Sequence, residues 1–274
     1  MSWGPADDES GSSVQPITER PRRVVLRTRD GVAVDAFHEP GDGPPDGPVF
    51  VLAHGFTGDL ERPHVRRAAR AFAQRGAVVT FSFRGHGRSG GRSTVGDREV
   101  LDLAAAVEWA RSLGHARVVT VGFSMGGSVV LRHAASHRGR TEARTDAVVA
   151  VSAPARWFYR GTAPMRRLHW VVTRRSGRMV GRIGLRTRIH PYDWDPVPLS
   201  PVESVPLIAP TPLLVVHGDR DPYFPVDHPR MLAAAADGGA ELWLEPGMGH
   251  AEHAASDELL RRIGEWGSAA VAAQ

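Results

Sequence analysis

The chain has 274 residues, of which 42% are hydrophobic and 23% charged. That balance suits a large globular domain with a substantial core and argues against global disorder. All 34 basic residues are Arg and Cys is absent, which excludes a phosphate-loop lysine, a Schiff-base amine, a Ser-Lys dyad, a thiol nucleophile, a disulfide framework and thiolate zinc sites. The formal net charge is only +4. The isoelectric point of about 10.4 reflects how little titrates at high pH in a chain without Lys or Cys, so it is not a nucleic-acid signal.

Residues 1–20 are rich in Ser, Gly, Pro and acids and read as a disordered tail. They hold no basic stretch leading into an apolar run, so no secretory signal is expected and the expected compartment is the cytoplasm. Apolar runs elsewhere are strand-sized, short of the roughly 20 residues that cross a bilayer. Two alternating runs follow the tail, 23–27 and 32–37, with Asp30-Gly31 between them as a hairpin signal. Beyond the Pro/Gly-rich stretch 40–48 the period changes. Continuous apolar runs at 49–53, 77–83, 117–121, 147–151, 212–216 and 241–244 predict strands buried on both faces, as in a parallel sheet. Helical spacing lies between them. Val65, Ala68, Ala69 and Phe72 form one apolar stripe, with Gly76 as its stop. Val100, Leu103, Ala104 and Val107 form another, with Asp97 expected as N-cap. Residues 127–137 are helix-like, and Leu259, Leu260, Ile263 and Trp266 predict a last helix behind Ser256. Alternating β and α elements after a hairpin predict an α/β sandwich with a mostly parallel sheet.

One segment breaks this rhythm. About 50 residues separate the strand ending near Val151 from the next, far more than a helical crossover needs. The stretch 155–205 reads as a helical lid between two core portions, 21–154 and 206–274. It carries Met165, Leu168, His169 and Val172 at helical spacing, then an Arg/Gly-rich run, then a Pro-rich return. Its 10 Arg face only Asp193, Asp195 and Glu203, a net charge of +7.

Gly122-Phe123-Ser124-Met125-Gly126 follows a predicted strand and precedes a helix-like segment. This G-x-S-x-G pattern suits a sharp turn that lifts a serine above a sheet, with glycines where side chains would collide. A serine hydroxyl needs a base. Asp219 and Asp221 follow one late strand, and His250 and His253 follow the last. The carboxyl ends of parallel strands share one edge, so these loops can converge.

With these residues in view, the chain resembles the α/β-hydrolase superfamily, in particular its lidded esterase, monoacylglycerol-lipase-like and serine-aminopeptidase-like members. The resemblance spans roughly residues 22–266 and is weakest over 155–205. It rests on His54-Gly55-Phe56, on Phe83-Arg84-Gly85-His86-Gly87-Arg88-Ser89, on the serine turn, on His217 to Asp221 and on Gly247 to His250. One position departs from the family pattern: Ser82 stands where an Asp is frequent, which puts a local hydrogen bond in question. The resemblance implies the α/β-hydrolase fold, with Ser124 as nucleophile, His250 as base and Asp221 as its acid partner. It also implies an oxyanion hole from the main-chain N–H groups of Phe56 and Met125, with Gly55, Gly122 and Gly126 shaping the loops. Family spacing favours Asp221 over Asp219 and His250 over His253; Asp219 is expected to hydrogen-bond within the same loops. His54, His86 and His217 are expected in structural hydrogen bonds.

The implied activity is cleavage of small-molecule esters through an acyl-enzyme, with serine aminopeptidase, thioesterase or carbon–carbon bond hydrolase as alternatives on the same residues. A non-catalytic binding protein that keeps the fold is the alternative from another class. No metal, no organic cofactor and no nucleic-acid partner are expected. The lid is expected to offer Trp157, Phe158, Met165, Leu168 and Trp170 as an apolar pocket wall. Its Arg cluster would attract anionic substrates or touch a lipid surface transiently.

Overall fold

The computed structural model describes residues 20–44 and 46–273; all but Arg20 of the expected tail lies outside them. The hairpin forms from β1 (Arg22–Arg27) and β2 (Ala33–Glu39). At its turn Gly31 takes φ +81°, which its missing Cβ permits, and Thr28 Oγ1 accepts from the N–H of Val32 at 2.9 Å. Next come β3 (Val49–Ala53), α1 (Pro63–Ala73), β4 (Ala77–Phe81), α2 (Glu99–Ser112), β5 (Val118–Phe123), α3 (Met125–His137) and β6 (Ala147–Val151). The segment after β6 folds as α4 (Ala163–Thr173) and α5 (Arg175–Gly184) and returns through the short α6 (Pro201–Ser204). The chain closes with β7 (Leu213–Gly218), α7 (Asp227–Ala235), β8 (Ala240–Glu245), α8 (Ala251–Ala254) and α9 (Asp257–Ala272).

The eight strands make one sheet in the order β1-β2-β4-β3-β5-β6-β7-β8. β1 pairs β2 and β2 pairs β4 antiparallel, and every other pairing is parallel. Strands β3 to β7 are buried along their length, which explains their near-continuous apolar sequence. Successive residues serve opposite faces. Val49, Val51 and Ala53 of β3 pack with Leu103 and Val107 of α2, Val130 of α3 and Leu232 of α7. Phe50 and Leu52 pack with Phe72 of α1 and Leu260 and Ile263 of α9 on the other side. The outcome is the α/β-hydrolase fold that the sequence implied, with a mostly parallel sheet and an N-terminal antiparallel hairpin.

One local expectation needs correction. Asp97 does not cap α2: the helix starts at Glu99, and Asp97 faces Arg132 at 3.5 Å. Glu99 is fully buried and its carboxylate accepts from Ser93 Oγ, Thr94 N, Thr94 Oγ1 and Gly96 N, so the loop before α2 folds around Glu99 instead. The Arg/Gly-rich run is itself a helix, α5, and its inward residues are Gly177 and Gly181. Ser256 caps α9 as expected, accepting from Leu259 N at 3.1 Å. Among the described residues no helix is long and apolar enough to cross a membrane.

Candidate active site

Four parallel strands deliver the predicted residues to one sheet edge: β3 ends before His54-Gly55-Phe56, β5 before Ser124, β7 before Asp221 and β8 before His250. Ser124 sits at φ 53° and ψ −113°, a strained left-handed conformation for a residue with a side chain. The strain is held by packing too close for side chains on either flank. A Cβ at residue 122 would strike the Gly126 carbonyl, and one at residue 126 the Ala53 carbonyl. Met125 is the first residue of α3, so its N–H is among those a helix leaves without an internal partner, at the positive end of the helix dipole.

Three side chains form one hydrogen-bonded line. Ser124 Oγ lies 2.8 Å from His250 Nε2, and His250 Nδ1 lies 2.7 Å from Asp221 Oδ2. An ionised carboxylate only accepts, so Nδ1 carries the ring proton and Nε2 is left to accept from the serine hydroxyl. The other oxygen, Asp221 Oδ1, accepts from the N–H groups of Tyr223 at 2.8 Å and Phe224 at 3.1 Å. Burial works to raise the Asp221 pKa. The hydrogen bond and charge of His250 and the two main-chain donors outweigh it and hold the group below the ordinary carboxylate value. The Asp221 side chain is fully buried while His250 stays 17% exposed, so the ring is reachable and its partner is dry. Tyr223 lays its ring 4.3 Å from the imidazole at an interplanar angle of 32°.

The rivals go elsewhere. Asp219 Oδ1 accepts from Gly247 N at 2.6 Å and braces the loop that leads to His250. His253 leaves the line and packs against His64, with ring centroids 4.0 Å apart and planes tilted by 41°. His54, His86 and His217 make the loop hydrogen bonds expected of them. His54 Nδ1 donates to Gly55 O at 2.7 Å and Nε2 accepts from Phe83 N at 3.0 Å. Burial pushes the His54 pKa down to about 3, consistent with a neutral ring doing both. His86 bonds Phe56 O, and His217 donates to Phe224 O at 2.8 Å. Ser82 supplies a hydrogen bond of its own despite the missing carboxylate: its Oγ accepts from Leu60 N at 3.1 Å.

Sequence reasoning missed two further residues. Glu252, only 2% exposed, reaches across 197 positions to accept from Gly55 N at 3.2 Å. With Gly55 O taken by His54 and Gly58 N, and Phe56 O by His86, three of the four main-chain polar groups of Gly55–Phe56 are held. The Phe56 N–H is the fourth, and among the described residues no acceptor faces it. Ser152, at φ 51°, accepts from Ala251 N at 3.0 Å and ties the His250 loop to the end of β6. No local pattern joins 55 to 252 or 152 to 251.

The expected apolar wall is only partly assembled. Met165 is buried and Leu168 packs against the core. Trp157 is pinned by its Nε1–H to Pro198 O at 3.0 Å and meets Trp194 edge-on, and Phe158 also packs on Trp194. Phe158 and Trp170 are 60% and 45% exposed, which corrects their expected place inside a wall. Thr162, the N-cap of α4, donates to Tyr223 O at 2.9 Å, so the helix is fastened to the loop that carries Asp221.

Comparison with known proteins agrees with this architecture. Residues 48–180 match the alpha/beta hydrolase fold family. A monoacylglycerol lipase from Mycolicibacterium smegmatis is 28% identical, over 74% of this chain and 80% of its own. An uncharacterized protein from Mycobacterium tuberculosis is 26% identical, over 88% of this chain and 75% of its own. Among solved structures, the Pyrococcus furiosus esterase Pf2001 superposes with a TM-score of 0.70 at 23% identity, covering 90% of this chain and 91% of that one.

Proposed function

We propose that this chain, which has the alpha/beta hydrolase fold and matches that family over residues 48–180, is a serine hydrolase that cleaves carboxylic esters through an acyl-enzyme. The observation that carries this reading is the line from Ser124 Oγ through His250 to Asp221, with contacts of 2.8 and 2.7 Å. In acylation Ser124 Oγ bonds to the ester carbonyl carbon while its proton passes to His250 Nε2. Asp221 holds the ring tautomer and stabilises the imidazolium. The carbonyl π pair moves to oxygen, and that oxyanion accepts from Phe56 N–H and Met125 N–H. On collapse the C–O bond to the leaving group breaks, and His250 returns the proton to the departing oxygen. A water then repeats the sequence on the acyl-serine, with His250 again as base, and frees the acid.

The name of the M. smegmatis relative, a monoacylglycerol lipase, supports esters over other acyl substrates. Residues 155–205 act as a lid over the site. Met165 and Leu168 supply its apolar lining, and its Arg-rich outside makes transient contact with lipid.

Fluorophosphonate labelling tests the chemistry. One adduct is expected, on Ser124, absent in Ser124→Ala and strongly reduced in His250→Ala. A folded wild type that takes no label refutes the reading and favours a binding protein. A p-nitrophenyl ester chain-length series, run beside aminoacyl and thioester probes, tests the substrate class; faster turnover of either probe than of every ester would replace the ester assignment.

A further inference from the structure

Helix α5 is amphipathic in the wrong direction for a core helix. Its buried residues are Gly177 and Gly181, one turn apart. A Cβ at 177 would strike the Trp170 carbonyl, and one at 181 would stand 3.0 Å from Ile189 Cδ1, so this face is packed backbone-close against α4 and the returning chain. The large apolar side chains point away: Met179 is 62% exposed and Ile183 76%, with Val180 beside them. Water gives such an arrangement no stability, since these are the side chains whose burial favours folding. The pattern extends beyond the helix. Eight of the eleven exposed large hydrophobic residues among those described lie in 155–205, including Trp170 on α4. An apolar concentration of this kind marks a surface that meets something apolar.

Charge says what. Between 166 and 186 the sequence has seven Arg and no Asp or Glu. Among the described residues none of Arg166, Arg167, Arg174, Arg175, Arg178, Arg182 and Arg186 has a carboxylate partner. A second copy of the chain would set one cationic face against another. A nucleic acid would neutralise the Arg residues and leave Met179 and Ile183 with no apolar partner. An anionic lipid surface satisfies both demands, because side chains such as Met179, Ile183 and Trp170 enter the headgroup–acyl boundary while Arg stems snorkel to the phosphates.

We propose that α5, with the Trp170 side of α4, is an interfacial element that seats this protein on bilayers rich in anionic phospholipid. The proposal deepens the lid reading above by naming its partner. The same segment is fastened to the Asp221 loop through Thr162 and to α7 through the Arg156–Asp227 pair at 3.1 Å. Seating α5 therefore brings the site edge to the lipid surface from which an ester would come.

The test is co-sedimentation of the full chain with vesicles of phosphatidylcholine alone or of phosphatidylcholine with phosphatidylglycerol. The chain is expected to sediment with the anionic vesicles, to release in high salt, and to bind phosphatidylcholine far more weakly. Met179→Ser with Ile183→Ser should weaken binding at least about tenfold, since each side chain removed from the interface is worth about that factor. Arg175→Gln with Arg178→Gln and Arg182→Gln should abolish the preference for phosphatidylglycerol. The Ser double variant should hydrolyse a short soluble ester at the wild-type rate. Wild type that stays in the supernatant, a Ser variant that binds undiminished, or a dimer that the Ser variant dissociates would each overturn the proposal. Vesicle binding is read without catalysis. Binding without ester hydrolysis would therefore refute the hydrolase reading alone, and hydrolysis without binding would refute this one alone.

Discussion

Glu252 offers the sharpest test of how the site is held. Glu252→Leu removes the acceptor of the buried Gly55 N–H and fills the space with methyl groups of similar reach. A buried donor left without a partner costs about 1–3 kcal/mol. The Gly55–Phe56 peptides can recover part of it only by rotating, and rotation carries the Phe56 N–H away from the position where an oxyanion would form. If the whole penalty falls on the transition state, kcat drops about 5- to 150-fold. That range meets the lower part of the about 10²–10³-fold loss from deleting an oxyanion donor outright. Glu252→Gln keeps an oxygen acceptor at the same place and should retain kcat. The assay is kcat and KM on a short p-nitrophenyl ester, with fluorophosphonate labelling rate and thermal unfolding on the same samples. The expected signature is a fall in kcat and in labelling rate at nearly constant KM for Leu, and recovery for Gln. A Leu variant with wild-type kcat would refute the clamp. A Gln variant as slow as Leu would show that the carboxylate's charge matters and not its hydrogen bond.

The two aspartates that sequence spacing leaves side by side should separate cleanly in the same assay. Asp221→Asn can turn an amide N–H toward His250 Nδ1 and hold the wrong tautomer, at a cost of about 10⁴ in kcat, whereas Asp219→Asn keeps an acceptor for Gly247 N and should stay within about tenfold of wild type; equal effects would undo the assignment. Acid should destabilise the fold through its buried imidazoles. Burial lowers the pKa of His38 and of His228 from 6.5 to about 4, so the unfolded chain binds more protons than the native one between those values. The stabilising contribution is whole above pH 6.5 and is lost as pH falls toward 4. The midpoint of urea unfolding should therefore decline steadily from pH 7 to pH 4.5, and a flat profile over that window would refute neutral burial of these rings.

The sequence was readable where one physical rule acts alone. Strands β3 and β5 to β7 are buried on both faces, and their near-continuous apolar runs announce it. The serine turn is readable because its glycines answer a local collision. The Asp and His loops are readable because parallel strands place every such loop on one edge. Reading failed where a side chain answers to a distant group. Asp97 has the right chemistry for an N-cap and the right position before an apolar stripe, but Arg132 claims its carboxylate and Glu99 organises the turn.

The Arg/Gly-rich run that forms α5 gave no helical stripe for a different reason, and it bears on function. Periodicity analysis assumes that the apolar side of a helix faces inward, and here the inward side is glycine. A sequence rule built on the protein's own core cannot register a helix whose apolar side faces out. The missing inward apolar stripe over 175–184 and the proposed seat on lipid therefore have one origin. If the outward Met179 and Ile183 had instead been a packing accident, nothing would require the charge around them to be of one sign. The absence of any acid from 166 to 186 is what separates a selected surface from an unfinished core.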